Sequence, residues 1–221
     1  MTDFLMIETL CSLGSRPILA TVDISLARQA LVLSQNHKSE LIYMLGIKNG
    51  FYAFESALHV FPFGFDDSAG IQNLVQWNLP STWKELFEKG TDALFCFAED
   101  IFGYQFSSFQ GRIVRFDPET GETEDLCGTV EEWASLICRD FNLQTGYQIA
   151  LEWQATKGII QPGNRLLPIY PFVSDLGTYE LTNLYEIDAV KGMRSRADFA
   201  RQIKLIPDGS RVRIVPKNLG K

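Results

Sequence analysis

The chain has 221 residues, 46% of them hydrophobic and 21% charged, with a formal net charge of −7. That is ample apolar mass for a real core and too aromatic a composition for a disordered chain. The acidic balance opposes general nucleic-acid binding, because phosphate is repelled overall; it suits either solubility or a basic partner.

Residues 1–22 carry little pattern. Phe4, Leu5, Ile7 and Leu10 fit a short helix that Gly14–Pro17 would break. Asp3 and Glu8 stand where a secretory signal needs Lys or Arg, and no apolar run approaches ~20 residues, so a cytoplasmic protein without a membrane span is expected. Asp23 is placed to cap a helix through Leu33. Ser34–His37 reads as a polar break, and Glu40–Leu45 as a helix closed by the Asn49–Gly50 turn. Phe51–Phe54 and Leu58–Phe61 have strand composition. Ile71, Leu74, Val75 and Trp77 are weakly amphipathic. Thr82 and Glu85 stand at capping-box spacing before a short helix with Trp83, Leu86 and Phe87 on its apolar side.

The most legible stretch follows. Leu94–Ala98 is a short apolar run, Tyr104 and Phe106 alternate with polar residues, and Ile113, Val114 and Phe116 make a third strand, so a β-meander is expected. Asp117–Gly121 is turn chemistry, with Pro118 presetting φ and Gly121 able to take a positive φ. Thr129 and Glu132 form a capping box, and Trp133, Leu136 and Ile137 give the helix one apolar face.

Beyond Asn142 the pattern predicts a helix over 147–154 facing inward through Ile149, Ala150 and Trp153, then strands over 166–170 and 184–187. A helix is expected from Arg194 to Leu205, with Phe199 and Ile203 inward and Arg194, Arg196, Arg201 and Lys204 solvated. Asp208–Gly209 should turn into a strand over 211–215. The expected fold class is α+β: an antiparallel meander packed with helices over 1–141, and an α+β extension over 142–221 packed on it as one continuous unit.

Phe97–Gly103, the Arg112–Gly121 hairpin and Glu131–Trp133 together resemble the SUKH superfamily, as do Asn49–Gly50 after the first helices and Trp77–Asn78 ahead of Trp83. The resemblance spans roughly residues 40–140. The sequence departs from the family at Gly103–Tyr104, where many relatives have a small polar residue or a second glycine. The family includes fungal cell-wall-assembly regulators and bacterial immunity proteins that neutralise polymorphic toxins. It implies an α+β domain that binds protein, with no catalytic residues to transfer.

The search for chemistry is correspondingly thin. No H-x-x-x-H, G-x-S-x-G elbow, Walker loop or G-x-G-x-x-G is present, so no metal or cofactor is expected. His59, between Leu58 and Val60, reads as structural, and the four cysteines as buried free thiols. Glu99–Asp100 is the one carboxylate pair in an apolar setting. It fits either acid/base chemistry or side chains bonded to the turn around Gly103.

Charge is uneven. Ten acidic residues and only Arg112 and Arg115 lie between Thr91 and Glu132, whereas nine cations lie between Lys191 and Lys221. The two regions face each other, or one faces a charged partner. On these grounds the expected function is stoichiometric occlusion of a basic toxin domain, with a scaffold or regulator, or an enzyme using Glu99 and Asp100, as alternatives. The candidate partner contacts are Glu99, Asp100, Asp117, Glu119 and Glu122, with Trp77, Tyr104 and Gln105 beside them.

Overall fold

The computed structural model describes residues 4–64, 71–87 and 90–206; the strand expected at 211–215 lies outside them. Three helices open the chain: α1 (Leu5–Leu13), α2 (Ile24–Ala30) and α3 (Gln35–Ile47). Strands β1 (Phe51–Ala53) and β2 (Leu58–Val60) and the short helix α4 (Leu74–Trp77) follow. The meander is β3 (Phe95–Asp100), β4 (Gln105–Phe109), β5 (Arg112–Phe116) and β6 (Thr123–Cys127), closed by α5 (Val130–Arg139). The remainder is α6 (Phe141–Thr145), α7 (Tyr147–Lys157), β7 (Asn164–Pro168), β8 (Leu184–Asp188) and α8 (Ala189–Ile203). The fold is α+β. Strands β1 to β6 form one antiparallel sheet in sequence order, and β7 pairs antiparallel with β8 in a second.

Local chemistry accounts for the joints. Gly121 takes φ 75° and donates its N–H to Asp117 O at 2.8 Å, closing the β5–β6 turn. Asp23 caps α2 through the Leu26 N–H, but that helix stops at Ala30. Ser34–His37 is the start of α3 rather than a break, because His37 is drawn into the core. Its ring nitrogens lie 2.7 Å from Ser108 Oγ and 2.8 Å from Gly128 O. Thr129 caps α5 as expected; Glu132, however, reaches back to the Gly128 N–H, not to that of Thr129. Thr82 caps nothing: its hydroxyl donates to Gln76 O, and Lys84–Leu86 is a 3₁₀ turn.

One face of the large sheet packs under the N-terminal helices and α5. Trp133 of α5 meets Phe97 and Phe106 edge-on or tilted, at 4.9 and 5.5 Å between ring centroids. Glu131 accepts from the Met6 and Ile7 N–H groups, so one acidic residue is spent fixing the start of α1. An aromatic series extends the core: Phe61 stacks on Trp77, and Trp83 packs at a tilt against Trp77 and Phe116.

A second apolar cluster joins Ile101 and Phe102 to Ala150, Trp153, Leu166 and Leu184 from beyond residue 142. Helix α8 then returns to the first cluster through Ala189 and Met193. Its buried stripe is Gly192, Met193, Arg196, Ala197 and Ala200; Phe199 and Ile203 are only half-buried. Arg196 therefore lies in the interior, contrary to its expected solvated position: the small residues beside it leave room for a guanidinium. Among the described residues no helix is long and apolar enough to cross a membrane.

Candidate functional site: an acid-floored aromatic cleft beside a closed charge network

The antiparallel register places Tyr52 opposite His59, His59 opposite Glu99 and Glu99 opposite Gln105. Directly opposite residues share a face, so these four side chains form one row across the sheet. Arg165, at the start of β7, closes over the row with Nε 2.9 Å from Glu99 Oε1. His59 Nδ1 lies 3.1 Å from the same oxygen, and Gln105 Nε2 donates to Glu99 Oε2 at 3.2 Å. Gln105 Oε1 accepts the Trp77 indole N–H at 2.7 Å. Tyr52 stacks on His59 and carries the Arg165 guanidinium over its ring.

Burial pulls the Glu99 carboxyl upward, yet Arg165 and the hydrogen bonds from His59 and Gln105 hold it below its ordinary range. Burial drives His59 down to about 4, against the pull of Glu99, so the ring is neutral and donates from Nδ1. The Arg165 and Glu99 charges are paired and buried, His59 Nε2 and Arg165 Nη2 make no hydrogen bond among the described residues, and the adjoining void holds only about 10 Å³. This network is a structural clamp between β3 and the extension, and it offers no approach to a substrate.

Asp100 points elsewhere. Its Oδ1 accepts the N–H groups of Phe102 and Tyr104, both at 2.9 Å, holding the β3–β4 turn. Gly103 sits in that turn at φ 80°, and a Cβ there would lie 3.3 Å from Arg196 Nη1. Arg196 donates to Phe102 O, and its Nη2 is 3.9 Å from Glu119 Oε1. Glu119 in turn accepts the Val173 N–H at 3.2 Å. Burial raises Asp100 to about 7, despite the two backbone bonds and the charges of Arg196 and Arg115.

Asp100 forms part of the floor of a cleft of about 460 Å³ at the junction of the meander with α6 and α7. Phe102, Tyr104 and Tyr179 wall it, and Leu143 and Ile149 edge it. Arg115 also lines the cleft; it lies over the Tyr104 ring at 5.7 Å and pairs with Glu124 at 2.5 Å.

The expected contact residues therefore separate. Trp77, Glu99, Gln105 and Glu119 are buried and bonded internally, so they are corrected from surface contacts to core members. Asp100 is also buried, but it faces the cleft. Tyr104 lines the cleft, Asp117 is half-buried with Oδ1 accepting the Glu119 N–H, and Glu122 is exposed. Glu99 and Asp100 line different voids, so the pair does not form a shared acid/base site. The acidic window is partly neutralised at home, by Arg112–Asp125, Arg115–Glu124 and Arg196–Glu119. The last of these shows the cationic helix meeting the acidic window.

Sequence reasoning missed Arg165, Tyr179 and Leu143. Nothing local marks Tyr179 or Leu143. Arg165 carried one faint sign, a lone cation beside Leu166 and Leu167 in a strand. Among the described residues, no group of three or more His, Cys, Asp or Glu side chains is arranged to hold a metal ion.

No protein-family model matches the chain, and no curated protein matches it. The fold is similar to that in the crystal structure of Atu4351 from Agrobacterium tumefaciens, with a TM-score of 0.50 over 89% of this chain and 88% of that one. The two are 9% identical, so the likeness concerns the fold alone.

Proposed function

We propose that this chain acts by binding another protein, as an immunity-type module that neutralises a basic toxin domain in the cytoplasm by stoichiometric occlusion, without a cofactor. The observation that carries the reading is the cleft. It combines aromatic walls, an acidic floor and an apolar lip in which Leu143 is 72% exposed. Protein interfaces draw most of their affinity from a few anchor side chains seated in desolvated pockets, and this cleft supplies such a pocket. The SUKH resemblance supplies the direction of the reading. Exposed Glu122 lies on the neighbouring turn and would speed encounter with a basic surface, whereas Glu124 and Asp125 are already paired with Arg115 and Arg112.

A scaffold or regulatory role on the same fold is the runner-up. The enzyme reading has weaker support, because Glu99 is held by Arg165 in a separate void. Expressing the genes that flank this one singly, with and without this chain, tests the proposal. One product should arrest growth alone and fail to do so when the chain is present. If no flanking product is toxic, or the chain leaves the arrest unchanged, the immunity reading is wrong.

A further inference from the structure

The cleft has a charge and a shape that select among partner groups. Asp100 is 5% exposed, uses Oδ1 for the turn, and is among the residues that line the cleft. Asp140 lines the same space. Asp117 and Glu119 lie close enough that, after burial, their charges help push the Tyr104 phenol upward. Two guanidiniums lie nearby: Arg115, which lines the cleft over the Tyr104 ring, pairs with Glu124, and Arg196 donates from Nη1 to Phe102 O and lies 3.9 Å from Glu119, with Nε and Nη2 making no hydrogen bond among the described residues. The local excess is negative.

The walls are aromatic. Tyr179 is 51% exposed, with one face stacked on Phe172 at 4.1 Å. A charged head that is planar and weakly hydrated suits such walls better than a compact ammonium.

We infer that the cleft is a socket for one arginine side chain of a protein partner, with its guanidinium at Asp100 beside Tyr104 and Tyr179 and its stem against Leu143. The inference rests on the protein-binding reading above. An aliphatic stem along an exposed leucine and a charged head at a buried carboxylate is how a long basic side chain satisfies both of its ends. Engagement of a desolvated carboxylate would place this residue among the few that carry most of an interface's affinity.

The test uses the full ¹⁵N-labelled chain at pH 8, above the raised Asp100 value of about 7. It is titrated with acetyl-Gly-Arg-Gly-amide and, separately, with the citrulline counterpart, which keeps the shape and loses the charge. The arginine peptide should give saturable shifts at the amides of Gly103, Tyr104 and Gly146, and the citrulline peptide none. Tyr179→Ala, at a half-exposed position, should weaken binding about fivefold or more. Asp100→Asn keeps an oxygen for the two turn N–H groups and should abolish binding. Equal binding of the two peptides, or shifts confined to another surface, overturns the socket.

The socket and the function proposal fail separately. If the arginine peptide seats in the cleft but no basic protein is captured from native lysate, the socket stands and the function proposal falls. If a basic partner is captured and Tyr179→Ala leaves its affinity unchanged, the socket alone falls.

Discussion

Arg165 Nε and Glu99 Oε1 lie 2.9 Å apart with both side chains 1% exposed, joining the first strand of the meander to the two-stranded sheet of the extension. A buried pair of this kind is poor evidence of net stabilisation, but breaking it is costly, because one charge is left unmatched in a dry interior. Arg165→Leu should destabilise the fold by ~3–5 kcal/mol. Adding Glu99→Gln should recover part of that loss, since the stranded charge is removed. Urea unfolding of the two variants measures both effects; equal losses would mean the stranded charge is not the cause.

The same network and its neighbour make opposite contributions to pH dependence. His59 is lowered from 6.5 to about 4, so the unfolded chain binds its proton more readily. Its contribution is complete above 6.5 and is lost as pH falls towards 4. Glu99, also lowered, is lost in the same direction. Asp100 is raised from 3.8 to about 7, so its contribution is complete below 3.8 and lost as pH rises through 7. The stability of Asp100→Asn relative to the unaltered chain should therefore rise by a few kcal/mol between pH 4 and 7. Urea midpoints across that range check it; a flat difference would show that Asp100 ionises normally in the fold.

Glu119 and Glu122 are both expected, on charge and position, to contact a basic partner, and the structure divides them. Glu119 is buried against Arg196 and the Val173 N–H, whereas Glu122 is exposed. Glu119→Lys should cost several kcal/mol by setting a second cation beside Arg196. Glu122→Lys should change stability by less than ~0.5 kcal/mol. It should also weaken capture of a basic partner at low salt more than at moderate salt. Similar unfolding midpoints for the two variants would contradict this division.

Trp77 lies in a weakly amphipathic stretch and stands among the expected partner contacts. It is fully buried, stacked on Phe61, and donates to Gln105. Trp77→Phe keeps much of the packing and leaves Gln105 Oε1 without its donor, so a loss of about 1–3 kcal/mol is expected in urea unfolding. A neutral substitution would mean that the hydrogen bond contributes nothing.

The meander was legible because its signals are local. Alternation placed Phe106, the apolar set of Ile113, Val114 and Phe116 placed the next strand, turn chemistry placed Gly121, and the Thr129 cap and the Trp133 face placed α5. The long-range pairing was not legible. Nothing within a few residues of Glu99 announces Arg165, and the half-polar composition of α8 made Arg196 look solvated. In that helix the stripe of Gly192, Ala197 and Ala200 was the readable sign that something larger is admitted beside it. The acidic window misled for a related reason. Residue counts show where charge lies along the chain, while cross-strand register and α8 decide which charges are already matched.

The most direct test of the central claim is affinity capture from native lysate with this chain as bait, at low and moderate salt. The account predicts one basic protein, recovered stoichiometrically and mainly at low salt. Recovery of an acidic partner insensitive to salt, or of no partner at either salt, would contradict it.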